Sequence, residues 1–442
     1  MRFALFSPDA EGRVLTEPGG RLPSWESAIT GHDDPVMPTV RVVLAERYGV
    51  TAPILELHAP DGGEGPTPGP VLVVTEPRAA DESPPGGLTS ALLAEIGPDA
   101  VPPELVPRLS TWTAELGHEA PVPALRPAWS RPGWASRVTG WLDTELTTLG
   151  RPRTGPLVQM RAWGISTLLR TETTDGAIWV KAAFPPFHAE PTLTRFLHAR
   201  FPGLTASVVA TNDAEGWTAL DEFSAAVVGG CRDVTMWRSA ADLLAGMQHA
   251  LANADGRDAL RRAAAASRPL DRLADDLEGA FFAHPRVIEW PYPDDRLREM
   301  VEGVRAAAGR MERLGIPETL IHGDFHPWNV AIVDGRPLIF DWTDSAVGNP
   351  MVDLATWIDA VPEGADRDRI WAEWVEAWSD VVPAEDMRAR YDDVVAIGSA
   401  YQVVSYDVIL RGLEPATRPT IAHGATSFAR LLDEALRPVA DR

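Results

Sequence analysis

The segment TLIHGDFHPWN (319–329) runs a short apolar stretch into His322-Gly323-Asp324 and reaches Asn329 five residues later. The next stretch, VAIVDGRPLIFDW, carries two apolar runs around Asp334-Gly335, a dipeptide that favours the tight turn of a β-hairpin. A two-residue turn there pairs position 329 with 340; a three-residue loop pairs it with 341. Either register brings the Asn329 amide and the Asp341 carboxylate to one end of the hairpin, beside Asp324. Such a set suits metal-assisted phosphoryl transfer. Mg²⁺ prefers oxygen ligands, which an amide and a carboxylate supply. A separate carboxylate, Asp324, orients a hydroxyl and takes its proton, and a lysine steadies the phosphates. Any one of these residues alone is more often a turn or cap residue. The combination is what points to chemistry.

The lysine has one candidate. Of the chain's 40 basic residues, Lys181 is the only lysine and the rest are arginine. A compact ammonium and a planar guanidinium are not interchangeable, so the retained lysine matters if its position does. It lies in AIWVKAAF, which with LVQMRAWGISTLLRTET flanks Asp175-Gly176, a second hairpin signal. A helix is expected to open near Glu190-Pro191, with proline at the first helical position. VVATNDAEGWTALDEF holds another strand pair, and from about 233 onward the pattern is mostly helical apart from 319–342.

These segments resemble the aminoglycoside phosphotransferase and choline kinase-like family. His322, Asp324 and Asn329 match its H-x-D-x-x-x-x-N loop, and Asp341 stands for the following metal-binding aspartate. GNPMVDLATW (348–357) resembles the family's G-D-P-x-x-D-L-A stretch, and YQVVSYDVILRGLEP (401–415) its helical C-terminal end. The resemblance covers about 156–440 and implies a bilobal, kinase-like fold. It implies that Asp324 is the base, that Asn329 and Asp341 hold Mg²⁺, and that Lys181 holds the phosphates with Glu190 as its partner. It also implies that Ser166, in the turn RAWGIST (161–167), covers the phosphates, although Gly164 alone stands where kinases have several glycines. WTALDEF (217–223), with Asp221 and Glu222, resembles the hinge that contacts the base of ATP, with GTP open as well. His322 and Asp353 are expected to support the loop. His326 reads as loop packing, Asn349 as a helix cap, Asp344 as solvent-exposed near the site, and Cys231 as inert.

The chain before this region reads as α+β, with strands at RFALF (2–6), PILELH (53–58) and VLVVTE (71–76) and a helix over 40–50. Pro/Gly-rich stretches at 61–70 and 83–87 read as loops. Trp134, Val138, Trp141, Leu142, Leu146 and Leu149 share one helical face. Gly20-Arg-Leu-Pro-Ser-Trp-Glu26 followed by VVLAERYGV (42–50) resembles a degenerate Nudix pattern. Its helix keeps only Glu46 of the needed carboxylates, so this part is expected to be non-catalytic. The expected division is a Nudix-like domain over 1–105, a helical linker over 106–150, a kinase-like N-lobe over 151–225 and a C-lobe over 226–442.

Composition narrows the partners. A formal net charge of −23 argues against nucleic acid and leans toward a cationic, hydroxylated small molecule. No stretch reads as a membrane span, and the single cysteine excludes an internal disulfide, which fits a cytoplasmic location. The expected activity is ATP-dependent phosphorylation of a small-molecule hydroxyl, such as an amino sugar, an antibiotic in a resistance role, or a metabolite. The alternative is a nucleotide-binding pseudokinase whose first domain senses a ligand. Oligomeric state is not legible.

Overall fold

Strand β1 (Arg2–Phe6) alternates its side chains between two cores, as the period-2 geometry of a strand requires. Phe3 and Leu5 join Met37, Val40 and Leu44 of helix α1 (Val36–Tyr48) on one side. Ala4 and Phe6 join Leu109 and Trp112 of helix α2 (Val106–Leu116) on the other. Strand β5 (Val71–Thr75), parallel to β1, is buried on both faces and therefore reads as an unbroken apolar run. With β3 (Ser24–Glu26) and β4 (Ile54–His58) they form a sheet ordered β3-β1-β5-β4. The result is a helix–sheet–helix sandwich, with β2 (Arg13–Thr16) and β6 (Thr89–Leu92) as a side ribbon. Residues 106–116, expected in a linker, are one layer of this sandwich because Leu109 and Trp112 need a sheet face to cover.

This computed structural model describes residues 1–9, 11–27, 36–60, 69–97, 100–361 and 365–437. Most of the expected 61–70 loop lies outside them. The chain divides into two compact units, Met1–Phe184 with Gly412–Ile421, and Pro185–Arg411 with Ala422–Arg442. The division falls past the expected boundary at 150, since strand β7 (Val158–Ala162) is tied to β4. The Gln159 side chain exchanges both amide hydrogen bonds with the Ile54 backbone, at 3.0 and 2.9 Å. Helix α3 (Trp134–Thr148) buries Trp134, Val138, Leu142 and Leu146, while Leu149, just past its end, is 50% exposed.

Still in the first unit, β7 pairs antiparallel with β8 (Ser166–Thr173), which pairs with β9 (Gly176–Ala183). The β8–β9 turn is Thr174-Asp175, one residue earlier than the Asp175-Gly176 signal. Gly176 already pairs with Thr173, whose hydroxyl donates to the Gly176 carbonyl at 2.6 Å and accepts the Asp175 N–H at 3.2 Å.

The second unit opens with α4 (Glu190–Arg200) and the antiparallel pair β10 (Val208–Asn212) and β11 (Trp217–Asp221). Helices α5 (Val234–Leu251), α6 (Ala254–Arg262), α7 (Leu270–Phe282) and α8 (Asp294–Glu312) follow, with a short strand β12 (Ala266–Arg268) between α6 and α7. Strands β13 (Thr319–Ile321) and β16 (Ala346–Gly348) pair antiparallel, and β12 adds to β16 in parallel. Between them β14 (Val330–Val333) and β15 (Arg336–Ile339) form the hairpin. Helices α9 (Val352–Ala360), α10 (Ala365–Ala377), α11 (Ala384–Arg388), α12 (Tyr391–Gly412) and α13 (Pro419–Ala435) complete the chain. Helix α12 is long and apolar enough to span a membrane, contrary to the sequence expectation, but 83% of that window is buried in the protein.

Candidate active site

The hairpin adopts the two-residue register. Val333 pairs with Arg336, and Asp334 and Gly335 both take positive φ, at 49° and 75°, as a type I′ turn requires. At the other end the Phe340 N–H donates to the Asn329 carbonyl at 3.1 Å, so Asp341 follows directly on the partner of Asn329. Asp341 itself sits at φ 65°, a conformation that aspartate tolerates better than most residues, and its Oδ1 accepts the Thr343 hydroxyl at 2.8 Å. The Asn329 amide donates to the Asp324 carbonyl at 3.0 Å and to Asp324 Oδ2 at 3.2 Å. Both partners only accept, so the amide nitrogen must face them and its oxygen turns away from Asp324.

The loop carrying Asp324 is held by two helices. On α9, Asp353, Thr356 and Trp357 fall at the i, i+3, i+4 spacing that puts side chains on one face. Asp353 accepts the His322 N–H at 2.9 Å and the Gly323 N–H at 2.8 Å, and also the Gln248 amide at 2.8 Å. Thr356 donates to the Phe325 carbonyl at 2.8 Å, and Trp357 stacks on the Phe325 ring at 4.4 Å. From α12, the Gln402 amide donates to the Gly323 carbonyl, and Tyr401 donates to the Asp344 carbonyl at 2.8 Å. Gly323 has φ 81°, and a Cβ there would lie 2.2 Å from the Asp344 carbonyl oxygen, so no other residue fits.

Two histidines have assignable roles from their bonds. His322 Nδ1 accepts the Asp324 N–H at 3.4 Å, which leaves Nε2–H to donate to the Phe340 carbonyl at 3.0 Å. Burial lowers its pKa against the pull of the Asp324 charge, so it is neutral and ties loop to hairpin. His326 Nδ1 accepts the Trp328 N–H at 3.2 Å, which aims Nε2 at Asp324 Oδ2, 3.4 Å away. Burial opposes charge on this imidazole, but the bond to Asp324 and the charges of Asp324 and Asp341 outweigh it and raise its pKa. Burial likewise raises the proton affinity of Asp324, but the bond and charge of His326 prevail and hold its carboxyl below the usual aspartate range. His326 therefore holds the carboxylate and is not loop packing.

Asp344 also differs from expectation. It is half-buried and its carboxylate accepts the Ser405 hydroxyl from α12. Burial, then the charge of Asp324, pushes its carboxyl up to about 7, against the Ser405 bond. Asp353 is likewise pushed to about 7 by burial, opposed by its donated N–H bonds.

The remaining candidates lie on other elements. In the first unit, Lys181 on β9 pairs with Leu168, and Ser166 on β8 pairs with Ala183. Directly opposed residues share a sheet face, so Lys181 and Ser166 lie on the same face. In the second unit, Glu190 is the buried first residue of α4, Asp221 ends β11 and Glu222 follows it. Asn349 is not the cap of α9, whose N-cap is Met351; its side chain accepts the Met351 N–H at 3.0 Å in a turn just before the helix. The polar residues of α12 that touch the loop, Tyr401, Gln402 and Ser405, escaped sequence reasoning. Their signal is that hydroxyl and amide groups interrupt an otherwise apolar, buried helix.

Residues 172–391 match the sequence profile of the phosphotransferase enzyme family. Over that span the chain belongs to this family. No curated protein sequence matches the chain significantly. Among solved structures, a macrolide 2'-phosphotransferase type I is 17% identical, covering 66% of this chain and 97% of its own, with a TM-score of 0.47. The choline kinase LicA from Streptococcus pneumoniae is 14% identical, covering 68% and 99%, at 0.44. An ethanolamine kinase from Plasmodium vivax is 10% identical, covering 64% and 83%, at 0.47. The loop, hairpin and α9 brace described above all lie within the span that marks this protein as a phosphotransferase, and its mixed α+β architecture is the one expected from the sequence, whereas the Nudix resemblance of the first domain finds no support in these comparisons.

Proposed function

We propose that this phosphotransferase moves the γ-phosphoryl group of ATP to a hydroxyl of a small molecule, with Asp324 as the base. The observation that carries this reading is the bonding of Asn329 to Asp324 with Asp341 next to the hairpin partner of Asn329. Asp324 is ionised over the working pH range and oriented on one side by Asn329 and on the other by His326. It accepts the acceptor's proton as the oxygen–phosphorus bond forms.

The donor set suits Mg²⁺. The Asn329 amide oxygen is turned away from Asp324, and Asp341 supplies a carboxylate, both hard oxygen ligands. Among the described residues no group of three or more His, Cys, Asp or Glu is placed to hold a metal. That fits an ion bound by one or two protein ligands, with phosphate and water completing its shell. When bound, the ion neutralises charge on the phosphates. Lys181 is assigned to the phosphates, Ser166 to the turn that covers them, and Glu190, Asp221 and Glu222 to nucleotide binding. GTP in place of ATP is compatible with the same parts.

Asp344, with Ser405, favours an acceptor bearing a cation: burial, then the charge of Asp324, raises its proton affinity against the Ser405 bond and the charge of Arg268, and a positive group would be stabilised there. Choline, ethanolamine, aminoglycosides, amino sugars and a macrolide make a suitable panel. Purified protein with Mg²⁺ and ATP should phosphorylate at least one of them, and Asp324→Asn should abolish turnover while nucleotide binding persists. Equal turnover by wild type and Asp324→Asn would overturn the assignment.

A further inference from the structure

The turn Trp163-Gly164-Ile165 joins β7 to β8 and leads into Ser166. Its internal bonds are ordinary: the Trp163 N–H donates to the Ser166 carbonyl at 2.9 Å, and the Phe184 N–H to the Ile165 carbonyl at 3.0 Å. Its outer side is gripped by two distant segments of the same unit. The indole N–H of Trp129, a residue 2% exposed, donates to the Trp163 carbonyl at 2.8 Å. Gly164 is buried, and a Cβ on it would stand 2.8 Å from a methyl of Leu413 and 3.4 Å from the Thr417 hydroxyl. A Cβ at 164 would therefore have to displace the Leu413 methyl, a constraint of close approach and not of φ.

The two grips share one ion pair. Three residues before Trp129, Arg126 Nε donates to Glu414 Oε2 at 2.6 Å, and its Nη2 donates to Oε1 at 3.2 Å. Glu414 directly follows Leu413 and also accepts Arg108 Nη1 at 2.5 Å. The pair thus ties the 126–129 and 413–417 segments together, and one places a group on Trp163 and the other on the adjacent Gly164.

We propose that Trp129 and Leu413, locked by the Arg126–Glu414 pair, are positioning residues for the Trp163–Ser166 turn, and that the chain before 151 and the 412–421 segment thereby set nucleotide affinity. This rests on the reading of that turn as the phosphate cover. A hydroxyl and backbone N–H groups bind phosphate well only when held in place beforehand, and a shift of about an ångström loses much of the benefit.

Isothermal titration of the full chain with the non-hydrolysable analogue AMP-PNP and Mg²⁺ tests the proposal. Gly164→Ala pushes the turn off Leu413 and should weaken binding on the order of tenfold. Adding Leu413→Ala to that variant should restore binding to within about threefold of wild type, a rescue that general destabilisation does not give. Trp129→Phe keeps the ring but removes the N–H, and should weaken binding about fivefold with little change in the nucleotide-free thermal midpoint. It keeps the test alive if Gly164→Ala does not fold. Lys181→Ala is the reference for the nucleotide reading. If Lys181→Ala loses binding while Gly164→Ala and Trp129→Phe bind like wild type, the clamp is overturned and the reading stands. If none of the three alters binding, the reading of this half as nucleotide-binding falls and the proposal with it. Failure of Leu413→Ala to rescue removes Leu413 from the clamp.

Discussion

Two charge clusters in this protein, one buried and one part-exposed, are built on different plans. In the first unit Glu56, Glu115 and Glu414 meet Arg108 and Arg126, with Trp112 donating to Glu56 at 2.5 Å and stacked under Arg126 at 4.1 Å. The carboxylates are matched by guanidinium groups, and Glu414, despite burial, is held down at about 2 by bonds from Arg108 and Arg126. In the second unit Asp324, Asp344 and Asp353 crowd together with imidazoles, N–H groups and hydroxyls around them, and both Asp344 and Asp353 are pushed up to about 7. The first cluster is cross-linked by direct guanidinium–carboxylate bonds and serves structure. In the second, Arg268 acts on Asp344 only through its charge, and burial raises the proton affinity of Asp344 and Asp353 at a cost in stability.

The sharpest way to break this contrast is to remove one charged group from each cluster's centre. Asp324→Asn should lower kcat by about 10³-fold or more with only a modest fall in the thermal midpoint, since the contact with His326 favours the ionised carboxylate while burial opposes it. A large fall in stability with this variant would contradict the unmatched plan. In the first unit, Arg126→Met strands Glu115 and half of Glu414 in a buried site, at about 3 kcal/mol of stability, read from the shift of the urea midpoint. A cost near zero would mean that the cluster is no better than an apolar core.

The same contrast explains what the sequence reveals and what it hides. Asp324, Asn329 and Asp341 are close in the chain, and Asp334-Gly335 limits the hairpin to two registers, of which the structure takes the shorter. The brace by Asp353 is also legible, because a helix one strand away must bring its i, i+3, i+4 face to the loop. His326 was not legible, since its role depends on which ring nitrogen the Trp328 N–H occupies. Ser405 and Asp344 lie 61 residues apart, and nothing in α12 announces which of its polar groups faces the loop. Arg126 and Glu414 are 288 residues apart, and any of 39 arginines is an equal candidate until the fold is known. The β8–β9 turn slipped by one residue because Thr173, unlike a neutral flanking residue, bonds across the turn itself.

Stability against pH separates the two clusters by sign. Glu414 is depressed to about 2 when folded, below its ordinary value, so it contributes stability above about pH 4.5 that is lost as pH falls toward 2. The loss is roughly 3 kcal/mol at most, and Glu414→Gln should flatten it. Asp344 and Asp353 are raised to about 7, so between about pH 4 and 7 the folded chain holds protons that the unfolded chain has released. Their contribution therefore falls as pH rises through that window. Urea midpoints from pH 3 to 8 should show both limbs, and Asp344→Asn should reduce only the neutral one.

The smallest effect expected joins the unmatched cluster to substrate choice. Choline carries a charge that does not titrate, so any pH dependence of its use near neutrality belongs to the protein. With Asp344 at about 7, the carboxylate form that attracts the cation grows as pH rises from 6 to 8. At saturating Mg²⁺ and ATP, kcat/KM for choline, or for whichever cationic acceptor of the panel is used, should rise by about tenfold and level off above 7. Asp344→Asn should remove the rise and leave a low, flat profile, whereas a neutral acceptor should show no such limb in wild type. A rise that survives Asp344→Asn would move the titrating group elsewhere, with His326, raised by its contact with Asp324, the next residue to replace. That outcome would leave Asp344 as a carboxylate bound to Ser405 for the sake of the loop alone, and the unmatched cluster would then serve the metal and the base without reading the acceptor.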